Sequence, residues 1–504
     1  MENSFNGTGE TKPVSQKSAM LIAGICTVLI LMRDAFIVWG FSFGYYGDSN
    51  LYVKLGRTLL QKSSTFSSGI VSFPYPFFNA LTSSSSNPLN LVWLQILIGA
   101  IAAGALIYVV ARKNPILSVV IGIFFVFDFV WGAVNRNVLT EGLYVSFHVL
   151  SLALLISHFD RRKTVSSWEL LAAGAYYGWA FIFRPSSIFL TLLIVPLYFW
   201  LSRSWRKTAF LTAGFLGIFL ALGLFNLWSS GEFRLMGQSG YYTASPLFVY
   251  RLFSPKNGPA SQQIDQEFSE CFPELDYANA MDTSAGGDKN NDILYQMFLP
   301  CLSDSGRSLD QISDLYTQAY IEGILKRPIN YAGVLIREGL TVIKYNVPLI
   351  LRLYLNPESN NRCQDYTWCE NIRESRLSWK NKLPFVPIYE KVATKVFQLY
   401  LLPLRPLNYI FGNDKYLPVT TAWIFMVGFL LIASRGRVRF LVITTLLFLL
   451  YIIFSVISGY GFIARYASVL TPFYSILSAT ALVALGKLIL NWVYQLRKPT
   501  HQES

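Results

Sequence analysis

The stretch AMLIAGICTVLILMRDAFIVWGFSFGYYGDSNLYVKLGRTLL, Ala19–Leu60, decides how the rest of the chain is read. Positions 19–43 form an apolar run broken only by Arg33 and Asp34. As a helix it is long enough to cross a bilayer core, which takes about 20 apolar residues. A polar tail of eighteen residues with Lys12 and Lys17 precedes it, so the run is expected to remain as an anchor and not to be cleaved as a signal peptide. It gives way to GDSNLYVKLGRTLL, where the lone carboxylate Asp48 opens a short helical segment. What Asp48 can do depends on the side of the membrane it faces.

Working outward, the whole chain of 504 residues is 53% hydrophobic and 14% charged, with a mean hydropathy of +0.39. Soluble domains carry about 25% charged residues, so the composition predicts a multi-span membrane protein. Hydropathy predicts about ten spans, at 19–43, 90–111, 115–134, 138–158, 169–183, 186–202, 208–228, 417–434, 438–458 and 466–490. The net charge of +13 is not a nucleic-acid signal, because its Lys and Arg fall in short loops between those runs. Lys12 and Lys17, Arg112 and Lys113, Arg161 to Lys163, Arg203 to Lys207, Arg435 to Arg439, and Arg497 with Lys498 occupy every second loop. Positive loops stay inside, so both termini are predicted to be cytoplasmic and the protein to sit in the plasma (inner) membrane.

Segments 44–89, 229–416 and the short loops near 136, 184 and 465 are then expected outside, with Asp48 among them. Cys271, Cys301, Cys363 and Cys369 all fall in 229–416. Either they pair, with 271–301 and 363–369 the simplest of three arrangements, or they remain four thiols. The chain divides into a cytoplasmic tail 1–18, a membrane module 19–228, the outer segment 229–416, terminal spans over 417–490 and a cytoplasmic tail 491–504. Within the outer segment, ISDLYTQAYIEGILKRPINYAGVLIREGLTVIKY reads as amphipathic helix broken at Pro328, and PFVPIYEKVATKVFQLYLLPLRPL has interfacial character. Both are placed at the membrane surface, since one extra span would move the Arg435–Arg439 cluster to the wrong side.

Nucleotide chemistry has no handle here: the chain has no GxxxxGK[ST], GxGxxG or HExxH motif, and it has three histidines. The candidates are charged residues on the outer face. Asp48 either caps the helix that follows it or acts as a catalytic carboxylate. Glu141, at the head of the fourth span, is a second candidate catalytic carboxylate, or is held there by the helix dipole. Arg136, Arg184 and Arg465 lie in outer loops where cations are depleted, so each needs an anionic partner. That partner is either a nearby carboxylate or a phosphate-bearing ligand, whose oxygens a guanidinium fork matches. Arg33, Asp34 and Asp128 lie at membrane depth; Arg33 and Asp34, being adjacent on a helix, are expected to point apart and find separate partners.

GDSNLYVKLGRTLL resembles the first outer loop of GT-C-fold membrane glycosyltransferases, the group that includes protein O-mannosyltransferases and bacterial aminoarabinose transferases. FPYPFFNALTSSSSNPLNLVWLQILIGAIAA is similar to that group's approach to span two, and NVLTEGLYVSFHVLSLALL to its Thr-Glu at the head of span four. WAFIFRPSSIFLTLLIVPL, FNLWSSGEFRLMGQSGYY and ARYASVLTPFYSIL resemble later outer loops in the same order, over most of 19–250 and 417–490. The resemblance implies an all-α polytopic bundle that transfers a sugar from a polyprenyl-phosphate carrier to an extracytoplasmic acceptor: protein, lipid or polysaccharide. It implies Asp48 as general base, with Tyr52, Arg136, Arg184, Arg465 and Tyr466 at the substrates. Many relatives carry a second acid after the first, where this chain has Ser49. No cofactor is required by the sequence, which leaves a divalent metal open; membrane lipid is the expected surroundings. The competing readings are a flippase or transporter of a lipid-linked sugar, and a non-catalytic assembly subunit.

Overall fold

The computed structural model describes residues 15–41, 47–60, 74–82, 87–160, 166–183, 194–196, 198–200, 202–230, 233, 247–248, 252–274, 301, 309–334, 469 and 471–497. No strand occurs among them; the elements are helices. They are α1 Gln16–Phe41, α2 Gly47–Leu60, α3 Pro74–Leu81, α4 Leu89–Ala111, α5 Pro115–Val126, α6 Phe129–Asn135, α7 Glu141–Asp160 and α8 Ser167–Phe183. Then come α9 Trp205–Ser230, α10 Pro259–Cys271, α11 Leu309–Lys326 and α12 Thr471–Arg497. Three helical stretches, Gln16–Val38, Leu89–Ala111 and Trp205–Phe225, are long and apolar enough to cross a membrane. The spans expected at 417–434 and 438–458 lie outside the described residues, as do Cys363 and Cys369.

Inside a bilayer, burying one apolar helix face against another gains little from water exclusion, so close packing and polar contacts must hold the bundle together. The packing is closest between α8 and α9. A Cβ on Gly174 would lie 2.0 Å from the Leu211 carbonyl oxygen, and one on Gly214 would lie 2.0 Å from that of Leu171. Gly178 meets Ile218, and Phe181 stacks on Phe219 at 4.2 Å. Residue numbers rise together along the contact, so the two helices run parallel. The motif Gly174-Ala-Tyr-Tyr-Gly178 is the small-residue stripe that such backbone contact requires. The neighbouring pair α7–α8 is antiparallel, with Ser151 Oγ donating to Ala173 O at 2.9 Å and Phe147 stacked near Trp179.

The third expected span, 115–134, is not one helix. α5 starts on an Asn114 cap, whose side chain accepts from Leu117 N at 3.1 Å, with Pro115 in the first turn. It stops at Val126, and α6 restarts on Asp128, whose Oδ1 accepts from Trp131 N at 2.9 Å. At the break Arg33 Nη1 adds a side-chain donor to carbonyls that also accept from the backbone: it donates to Phe125 O, which accepts from Asp128 N at 3.2 Å, and, at 2.7 Å, to Asp128 O, which accepts from Gly132 N at 3.2 Å. The separate partners expected for Arg33 and Asp34 are present, with Asn135 Nδ2 donating to Asp34 Oδ2 at 3.4 Å, but the two also pair with each other, which was not expected. Arg33 Nε and Nη2 each lie 2.6 Å from Asp34 Oδ1. Neighbouring side chains leave a helix in different directions, but the long Arg33 stem curls back far enough for the heads to meet. Both residues are buried, as expected.

Beyond the bundle, α10 packs on α11 around Leu252, Ile264, Phe268, Ile312 and Tyr316. The disulfide Cys271–Cys301 joins the end of α10 to residue 301, one of the expected pairings. Glu322 of α11 accepts from Ala260 N at 3.0 Å, Ser261 N at 2.9 Å and Ser261 Oγ at 2.7 Å, closing the N-terminus of α10. α11 ends at Lys326 and helix resumes over 328–334, so the expected break at Pro328 is present.

Candidate functional site at one end of the bundle

Several expected site residues meet where α1 ends and α4 and α7 begin. Their common platform is the turn 136–140 between α6 and α7. Gln95 of α4, fully buried, donates through Nε2 to Asn135 O at 3.0 Å and Asn137 O at 2.8 Å. Its Oε1 accepts from Tyr75 of α3 at 2.9 Å. A glutamine can serve three such partners at once because its amide carries two donors and an acceptor in one plane.

α2 is docked on this turn by Ser49, whose Oγ donates to Val138 O at 2.7 Å and which is itself buried. Val138 lies between Arg136 and Glu141 in the chain, and Ser49 follows Asp48. The single bond therefore sets the start of α2 against the turn that carries the other two charges. Asp48 stands in the first turn of α2, one residue inside the helix start. Tyr52 lies one turn further along, buried, with its ring edge-on to Tyr75 at 4.7 Å. Arg136 is 3% exposed and closes α6, its amide donating to Gly132 O. Glu141 is 1% exposed, begins α7 and accepts from Thr140 Oγ1 at 3.3 Å.

Arg184, Arg465 and Tyr466 lie outside the described residues. Phe183, the last residue of α8, packs near Tyr75 at 6.4 Å and Phe78 at 5.9 Å. α12 packs at the α5–α6 break, with Ser475 Oγ donating to Asp128 Oδ2 at 3.3 Å.

Three residues that hold the site together carried no charge signal in the sequence: Ser49, Tyr75 and Gln95. A fourth is Asn137, 1% exposed, whose amide nitrogen and oxygen have no hydrogen-bond partner among the described residues. Among the described residues no cluster of His, Cys, Asp and Glu has the makings of a metal site. The turn thus brings the buried Arg136, the buried Glu141 and the amide of Asn137 into one short segment, against which the start of α2 is docked.

Compared with known proteins, the chain matches no family model and no curated protein.

Proposed function

We propose that the chain is a polytopic membrane glycosyltransferase of the GT-C kind, with about ten spans and both termini in the cytoplasm. It moves a sugar from a polyprenyl-phosphate carrier to an acceptor on the extracytoplasmic face of the plasma membrane. The observation that carries the reading is the Ser49–Val138 bond, which seats the start of α2, and with it Asp48, on the turn holding Arg136 and Glu141. In this reading Asp48 takes the proton from an acceptor hydroxyl. The freed oxygen bonds to the anomeric carbon as the bond from that carbon to the phosphate oxygen breaks, and the carrier phosphate leaves with the electron pair. One displacement inverts the anomeric centre. Arg136, with Arg184 and Arg465 as the further candidates, compensates the charge that gathers on the departing phosphate. Tyr52 borders the acceptor, and Glu141 is the second carboxylate at the site. No nucleotide and no nucleic acid enters this chemistry.

One observation favours a second reading. The α5–α6 break, with Arg33, Asp34 and Asp128 buried beside it, resembles the interrupted helices that line transport pathways. A flippase for the same lipid would bind through the arginines and break no bond.

Asp48→Asn separates the two. It keeps the size of the side chain and removes proton acceptance, which typically lowers rate by about 10²–10⁴-fold. Transfer from a polyprenyl-phosphate sugar, followed by mass spectrometry of the product, should fall by that factor while the unfolding midpoint stays unchanged. Full transfer by a stable Asp48→Asn protein removes Asp48 as the base. Movement of donor across proteoliposomes with no product bond formed supports the flippase.

A further inference from the structure

The end of the bundle opposite the site carries its own assembly of exposed aromatic and basic groups. Because α8 and α9 run parallel, their first turns lie at the same level, and each presents a tryptophan: Trp168 is 76% exposed and Trp205 is 75% exposed. Trp200, 56% exposed, precedes α9 in the same corner. Between Trp200 and Trp205 the chain turns through Arg203, whose φ of 50° is the one positive value for a non-glycine residue among the described residues. Its amide donates to Phe199 O at 2.8 Å, closing the preceding helical turn in the left-handed form that glycine ordinarily supplies. The Arg203 guanidinium stands 6.0 Å over the Trp200 ring.

Glycine would fit that backbone without steric cost, whereas arginine pays a conformational cost there. Arg203 and Arg206 are exposed and Lys207 is half-buried, and none of the three makes a side-chain hydrogen bond or ion pair among the described residues. The stretch FWLSRSWRKTAF, 199–210, has no acid; one carboxylate, Glu169 in the first turn of α8, stands against three cations. Exposed indoles belong at the headgroup level of a bilayer, and unpaired cations beside them meet phosphate there.

We propose that Trp200, Arg203, Trp205, Arg206 and Lys207 form a binding site for the headgroup of an anionic glycerophospholipid. Arg203, held over Trp200, takes the phosphate oxygens in a guanidinium fork, Arg206 and Lys207 add charge, and the indoles seat the glycerol and upper chains. The site rests only on a membrane-spanning bundle and is independent of any transferase activity.

The test is the unfolding midpoint of the purified full chain in neutral detergent, with added phosphatidylglycerol or phosphatidylcholine. Wild type should be stabilised more by phosphatidylglycerol. Arg203→Gly should keep or raise the midpoint in phosphatidylcholine, because its backbone is relieved, yet respond to phosphatidylglycerol with an apparent affinity about ten- to a hundred-fold weaker. Arg203→Lys, which keeps the charge and loses the fork, should fall between. A wild type that does not distinguish the two lipids overturns the site. So does an Arg203→Gly protein with the full phosphatidylglycerol response. Stabilisation by inorganic phosphate equal to that by phosphatidylglycerol would overturn the lipid as the occupant.

Discussion

Replacing Gln95 with Leu keeps the approximate size of the side chain and deletes three buried hydrogen bonds, to Asn135 O, Asn137 O and Tyr75. A typical internal bond contributes about 1 kcal/mol net, so the loss is about 3 kcal/mol, with more if the Asn135 carbonyl finds no new donor. Tyr75→Phe removes one of the three and should cost about 1 kcal/mol. The pair then yields a sharper statement than either variant alone. In the double variant the Tyr75–Gln95 bond can be lost only once, so the sum of the single losses should exceed the double loss by about 1 kcal/mol. The twelve tryptophans give an intrinsic signal for thermal unfolding in detergent, and the order of midpoints should be wild type, Tyr75→Phe, then Gln95→Leu close to the double variant. Since Gln95 holds both ends of the segment from Asn135 to Asn137, loosening it should also disturb Arg136 and lower transfer more than Tyr75→Phe does. A Gln95→Leu protein as stable as wild type, or strict additivity in the cycle, would refute the view that this amide fixes the platform.

Two further outcomes follow from the packing. Burial is the largest single effect on the Glu322 carboxyl and raises its pKa, but the bonds from Ser261 Oγ and the amides of Ala260 and Ser261 together outweigh it and hold the group below 4.5. A depressed carboxyl stabilises the fold above its unfolded value and loses that contribution as pH falls through its folded value. The contact between α10 and α11 should therefore weaken below about pH 4.5, and Glu322→Gln should flatten that acid-side response when unfolding is followed across pH. Gly174→Val places a branched side chain against the Leu211 carbonyl, where even a Cβ has 2.0 Å of room. Overpacking of this kind typically costs about 1–3 kcal/mol, so the midpoint should drop clearly, whereas Gly217→Ala, inside the same α9 and meeting nothing within 4 Å, should raise it slightly through the higher helix propensity of alanine.

The helical class and most helix ends were legible because they follow from runs of apolar residues and their punctuation. α4 at Leu89–Ala111 matches the run at 90–111, and the stop before Pro328 follows from the ring's missing N–H. The break at Asp128 was not legible. Phe125 to Val130 looks like continuous span, and the side chain that bonds the carbonyls at the break, Arg33, comes from a helix far away in sequence. α10 was missed although Gly258-Pro259 marks its start, because its polar composition reads as loop until Glu322 closes the end from another helix. At the site, the charges announced Asp48, Arg136 and Glu141, while Ser49, Tyr75 and Gln95 did not stand out. Neutral polar residues in apolar surroundings reveal their partners only in three dimensions.

The bond between Asp128 and Ser475 also sets an order of events during synthesis. Its two residues are separated by 347 positions, and Val469, Phe473, Ile476 and Leu477 of the same C-terminal stretch belong to the core that the early helices share. At a ribosomal rate of about 5–20 residues per second, about 17–70 seconds pass between the emergence of Asp128 and that of its partner. Throughout that interval the α5–α6 face has lipid or an insertion factor for company in place of α12. A nascent chain arrested before Thr471 is thus the species in which the cell's membrane quality control meets this face uncovered, and the arrival of α12 is what covers it.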